Sequence, residues 1–154
     1  MLEWLEASPV ADALTVSPTL YIFANAAHIF SIGLINGSII PLDLRLVGFF
    51  RNAPLAVLAP FLSRAAMVGV FLSIITGSIL FSVNAVEYAA NRAFLIKLGL
   101  LSAGIANAVT LHARSSWRNA LETGTTPASV KVAAGFSIAI WPSTLVAGRW
   151  IGFI

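Results

Sequence analysis

Cysteine is absent from the 154 residues. Disulfides, thiolate nucleophiles and Cys-ligated zinc or iron–sulfur centres are therefore excluded. Charge is scarce as well: 10% of the residues are Asp, Glu, Lys or Arg, against roughly 25% in a soluble domain. There are two methionines, one of them Met1, and two histidines, His28 and His112. No phosphate loop, GxGxxG pattern, helical HExxH pair or hydrolytic triad occurs. The net charge is +3 and the pI near 10, yet the basic residues form no cluster. They stand at the ends of apolar runs, which is the pattern of membrane topology and not a nucleic-acid footprint. The start, Met1 to Ser8, is acidic and lacks the basic region of a signal peptide. The first apolar run is expected to act as its own insertion signal.

What remains is 58% hydrophobic and falls into four runs. Span one covers about 18–42, opened by Ser17-Pro18 as cap and first-turn proline, with Pro41 kinking or ending it. Span two covers 61–83, with Gly69, Ser73, Thr76 and Gly77 forming a small-residue packing face. Span three covers 92–113, capped by Asn91. The polar loop 114–131 leads to span four, 128–152, started by Thr126-Pro127. Each run reaches the ~20 residues a bilayer requires. The expected fold is all-α: one membrane domain over 1–154, a four-helix bundle running up-down-up-down. Residues 1–17 read as an amphipathic segment on the membrane surface or as a frayed tail. Arg45, Arg51 and Arg64 mark the first connection; Arg114, Arg118 and Lys131 mark the third. These sides are expected to face the cytoplasm, with both termini periplasmic.

Span one carries a polar stripe. At ~100° per residue, Tyr21, Asn25, His28, Asn36 and Asp43 fall within an arc of roughly 80°. Such groups are costly in a bilayer and normally face a bundle interior, a cavity or a cofactor. His28 lies ~15 Å below the outer surface, near the midplane. It reads as an axial ligand to haem iron or another metal, as a structural histidine, or as a proton relay. Asn25 and Asn36 are placed to hold the ring or bond a cofactor. Asp43 is either an interface charge, a partner of Arg51 or Arg64, or a proton donor to the site. Lys97 either snorkels to the outer interface, pairs with Asp43 or Glu87, or meets the carboxylates of a porphyrin or an anionic substrate. His112 differs from His28 in depth by very roughly 15 Å. A single iron held by both is unfavourable, so His112 is an interfacial residue or a second, separate metal site. Asn107 and Gly104 complete the candidates on span three.

Phe61-Leu-Ser-Arg64-Ala, Thr76-Gly77, Tyr88, Phe94-Leu-Ile-Lys97-Leu-Gly-Leu and Asn107 together resemble the core of the CopD family of copper-resistance membrane proteins. The first helix, with Ala27-His28-Ile29 and Gly33, also resembles the related HemJ-type protoporphyrinogen oxidases. The likeness covers about residues 20–113. Gly37 to Leu46 is similar to a branch of uncharacterised bacterial membrane proteins. The resemblance implies a small four-helix inner-membrane protein holding b-type haem, with His28 and Lys97 as the residues carried over. The haem reading places Lys97 or Arg92 near the propionates, with quinone or a redox protein as partner and electron transfer or porphyrinogen oxidation as the reaction class. The copper reading, a metal or small-solute transport protein, has only Met67, His28 and His112 to build a path from, and Cu(I) favours Cys, Met and His. A third reading is a membrane subunit without a cofactor, packed on a partner complex or on further copies of itself.

Overall fold

The structure, a computed structural model, describes residues 2–153. All regular structure among them is helical. The α-helices are α1 (Glu3–Glu6), α2 (Pro9–Val16), α3 (Pro18–Val47), α4 (Leu55–Phe81), α5 (Ala85–Ala90), α6 (Arg92–Ala113), α7 (Ser115–Thr123) and α8 (Ala128–Trp150). Four segments are long and apolar enough to cross a membrane: Pro18–Val47, Leu55–Ala90, Arg92–Ala113 and Ala128–Phe153.

Local chemistry sets most of the boundaries. Ser17 Oγ accepts from Leu20 N at 3.4 Å with Pro18 in the first turn. Asn91 Oδ1 accepts from Phe94 N at 3.2 Å and opens α6. Both caps are where the sequence puts them. The first helix, however, continues past Pro41 to Val47. Pro41 forgoes only the bond to the Gly37 carbonyl, and burial of Leu42, Asp43, Arg45 and Leu46 holds the last turns. The second helix begins at Leu55, six residues before the expected start, and runs through Pro60. Between them Gly48, at φ 120°, ends α3. The turn is stitched by Arg45 Nε to the Ala53 carbonyl (2.8 Å) and Arg51 Nε to the Gly48 carbonyl (3.1 Å).

Two segments read as loop or surface are helical and docked. Ala11 and Leu14 of α2 are buried, α2 packs on the 82–84 turn, and Glu6 Oε1 accepts from Val86 N at 3.0 Å. This N-terminal segment is therefore not a frayed tail. Within the expected polar loop, α7 buries Trp117 and Ala120. They join an apolar cluster with Leu42, Leu46, Leu55, Ala59, Leu111 and Val130 at the arginine-bearing end.

Helix α3 packs along α4 on one side and α8 on the other, and α6 packs on α8. The α3–α4 crossing is close because Gly69 has no side chain. A Cβ there would stand 2.9 Å from Ile35 Cγ1, 3.0 Å from Ile35 N and 3.1 Å from the Ser31 carbonyl. Helices α4 and α6 are not among the closely packed pairs. Their side chains join at two levels: Phe81 stacks on Phe94 at 5.2 Å near one end, and His112 Nε2 lies 3.2 Å from Ser63 Oγ near the other. Between those levels is a cavity.

Candidate functional site

His28 projects from α3 toward α4. Its Nδ1 lies 2.9 Å from Thr76 Oγ1. The Thr76 hydroxyl donates its only proton to the Leu72 carbonyl at 2.7 Å, so toward His28 it accepts. That assigns the ring proton to Nδ1 and leaves the lone pair on Nε2. Gly77 makes room for the ring: a Cβ there would stand 3.1 Å from Cε1 and 3.6 Å from Nδ1. The Thr76-Gly77 pair therefore both holds the imidazole and clears space for it.

Lys97 comes from α6, sixty-nine residues further on, and places Nζ 3.5 Å from His28 Nε2. It turns inward; it neither snorkels to an interface nor pairs with Asp43 or Glu87. Its stem runs beside Gly148 of α8, where an added Cβ would fall at ordinary contact distance, 3.4 Å from Cδ and 3.7 Å from Nζ.

The two side chains stand at a cavity of about 310 Å³, at the lower end of the volumes of ligand sites. Its walls are mostly apolar: Ile32 and Ile35 of α3, Ile74 and Gly77 of α4, Leu98 and Leu101 of α6, Trp141 and Leu145 of α8. Phe81 and Phe94 line it as well, and Tyr88 stacks on both, at 6.3 and 5.9 Å. Polar groups on the wall include Asn36, Ser73 and Thr144. Thr144 gives its proton to the Ile140 carbonyl (2.9 Å) and Ser73 to the Val70 carbonyl (2.9 Å). Asn36 Nδ2 donates to the Ile32 carbonyl at 3.1 Å. Its Oδ1, in contrast, is buried and has no protein partner.

A family model described as a family of unknown function, DUF6644, matches residues 1–154. The chain belongs to DUF6644. No curated protein and no solved structure matches it.

The other expected site residues of this DUF6644 chain lie elsewhere. Asn25 shares the helical arc of His28 but is exposed. Arg92 is exposed and lines a separate groove with Ile96, Pro142 and Trp150. Asn107 Nδ2 donates to the Ala133 carbonyl at 3.0 Å and ties α6 to α8. His112 spends both ring nitrogens: Nδ1 donates to the Ala108 carbonyl at 2.8 Å, and Nε2 meets Ser63. Its ring also packs on Trp117 at 4.6 Å, which makes it a structural link at the arginine-bearing end. The α4 residues met by the two histidines, Ser63 and Thr76, are thirteen positions apart, or ~20 Å along a helix. Asp43 is 4% exposed. Ser137 of α8 reaches its carboxyl group, while Oδ2 lacks a partner. Its expected partner Arg51 is committed to Gly48.

Among the described residues, no three of His, Asp and Glu gather to hold a metal ion. The donor set at the cavity is one imidazole with its remote nitrogen fixed. Metal-bound histidines are held this way. A single such base suits a group that brings its own equatorial nitrogens, as haem does; a bare copper ion asks for about two to four protein donors. The cavity residues thus fit a haem better than a copper ion. Of this site, the sequence misses Thr76 as anchor and Gly77 as clearance, since threonine and glycine in an apolar helix are ordinary packing residues.

Proposed function

We propose that this is a multi-pass protein of the bacterial inner membrane that holds b-type haem in the helix bundle, with His28 Nε2 as axial ligand. The observation that carries this is the meeting of His28 and Lys97 at 3.5 Å. The likeness to the CopD and HemJ families singles out those same two residues. Bound haem would supply one-electron redox chemistry, for electron transfer or porphyrinogen-type oxidation, with quinone or a redox protein as partner.

The chain's own residues have definable parts. Thr76 holds Nδ1–H and so keeps the Nε2 lone pair facing the cavity. Lys97 Nζ lies 3.5 Å from that same lone pair, and a metal held there would need Lys97 to give it up. The released ammonium is then free for a carboxylate of the occupant, in a medium where a bare charge is costly. The apolar and aromatic walls exclude water and favour a flat ring. Arg45, Arg51, Arg114 and Arg118 at one end support a cytoplasmic side there, with both termini periplasmic, by the positive-inside bias. Copper transport gains no support from side-chain placement. Met67 is 65% exposed on the outside of α4, and His28 and His112 stand at separate levels.

The test is the visible spectrum of the full chain purified in detergent. The expected result is a Soret band that disappears in His28→Ala and persists in His112→Ala. A colourless protein, or an unchanged band in His28→Ala, overturns the reading.

A further inference from the structure

The cavity has a side opening. Helices α4 and α6 do not pack closely along their length; they are pinned at the Phe81–Phe94 stack and at the Ser63–His112 contact. Between those pins, Ile74 on α4 and Leu98 on α6 both line the cavity. Each also keeps a large accessible surface, 47% and 42% exposed. A residue that lines a cavity and is open to the outside stands at its mouth. Both lie well inside segments apolar enough to span a membrane, so that mouth faces hydrocarbon and not water. The aromatic cluster of Phe81, Tyr88 and Phe94 closes one end of the route. The buried cluster around Leu46, Leu55 and Trp117 closes the other.

We propose that the slot between α4 and α6 is a lateral portal by which a ring-shaped molecule dissolved in the bilayer reaches the cavity. This takes the cavity to be the working site, as the proposed function does, but it does not depend on which ring is bound. The walls specify the ligand's chemistry. Its body is flat and apolar, to pass between Ile74 and Leu98 and lie against Trp141. It carries an acceptor oxygen for Lys97 Nζ, whose hydrogen-bond partner among the described residues is His28 Nε2 at 3.5 Å. It also offers an O–H or N–H to Asn36 Oδ1, a buried side-chain acceptor on the wall that has no partner among the described residues. An unfilled buried acceptor is costly, and a donor on the ligand meets that need.

The absence of cysteine makes a clean test available. The double variant I74C/L98C, in vesicles, is bridged with a short bis-maleimide or left unbridged. The probe is menadione, a flat quinone that partitions into the bilayer. The readout is quenching of the emission component that is lost in Trp141→Phe. Trp141 is 2% exposed and lies on the cavity wall. The unbridged protein should be quenched by menadione and not by aqueous iodide. Bridging should slow quenching by an order of magnitude or more, as closing a gate does. Equal quenching before and after bridging overturns the portal. Quenching by iodide as strong as by menadione also overturns it, because the route would then be aqueous. A bridged M67C/V109C pair, with both residues exposed and off the cavity, should leave quenching unchanged. Slowing there too would mean that cross-linking alone is responsible, and would count against the portal. None of these outcomes uses haem, so a colourless protein with a working portal would defeat only the haem assignment.

Discussion

Replacing Thr76 by valine keeps the shape of the side chain and removes the oxygen that accepts from His28 Nδ1. The account expects haem affinity to fall 10–100-fold, the usual cost of losing such a partner, while the fold loses about 1 kcal/mol. Haem titration and thermal melting separate the two effects, and Thr76→Ser should restore binding. Equal affinity in Thr76→Val would remove the anchor from the account. Gly77→Ala works by volume instead. Its methyl would meet His28 Cε1 at 3.1 Å and tilt the ring, so the expected result is a weakened or shifted Soret band with helix content unchanged by circular dichroism. At this scale the sequence is half legible. An imidazole and an ammonium inside apolar runs stand out at once, because their burial demands a reason. Which groups they meet depends on helix packing that no local pattern encodes. The polar arc shows this: His28 and Asn36 reach the cavity, while Asn25 on the same arc is exposed.

Among the elements, the α3–α4 crossing rests on a missing side chain. Gly69→Ala would press a methyl against Ile35 and the Ser31 carbonyl, at 2.9 to 3.1 Å. Overpacking of this kind costs about 1–3 kcal/mol. Gly99→Ala is the comparison, since nothing lies within 4 Å of its Cβ position and alanine favours a helix by up to ~1 kcal/mol. Melting in detergent should show Gly69→Ala less stable and Gly99→Ala unchanged or more stable. The same order in both would contradict the crossing. The four long helices are legible from hydropathy, and the caps at Ser17 and Asn91 from residue type. The helix ends at Val47 and Leu55 are not, because burial of Leu42, Leu46 and Leu55 outweighs the proline signals. Helix α7 is missed for another reason. Trp117, Ala120 and Leu121 have helical spacing, but the charged residues around them dominate a hydropathy reading.

For the whole molecule, the proposed orientation rests on the arginines and lysine at one end, through the positive-inside bias. Single cysteines at Asn52 and Glu87, both exposed, can be introduced without background thiols. A membrane-impermeant maleimide applied to intact spheroplasts should label Glu87→Cys directly and Asn52→Cys only after permeabilisation. The reverse order would invert the topology. Architecture at this scale follows from composition alone: four apolar runs with short connections leave little choice but a bundle. The placement of the cavity does not follow from composition. It arises because α3 and α8 form the packed centre while α4 and α6 stay apart between their two pins.

The central claim is that His28 offers its Nε2 lone pair to a haem in that cavity. The most direct measurement is the haem content of the full chain purified from membranes, as the pyridine haemochrome ratio of haem to protein. The account predicts a b-type spectrum approaching one haem per chain in the natural sequence, and loss of that haem in His28→Ala while Lys97 and the fold remain. A folded, helical natural chain carrying no haem would contradict it.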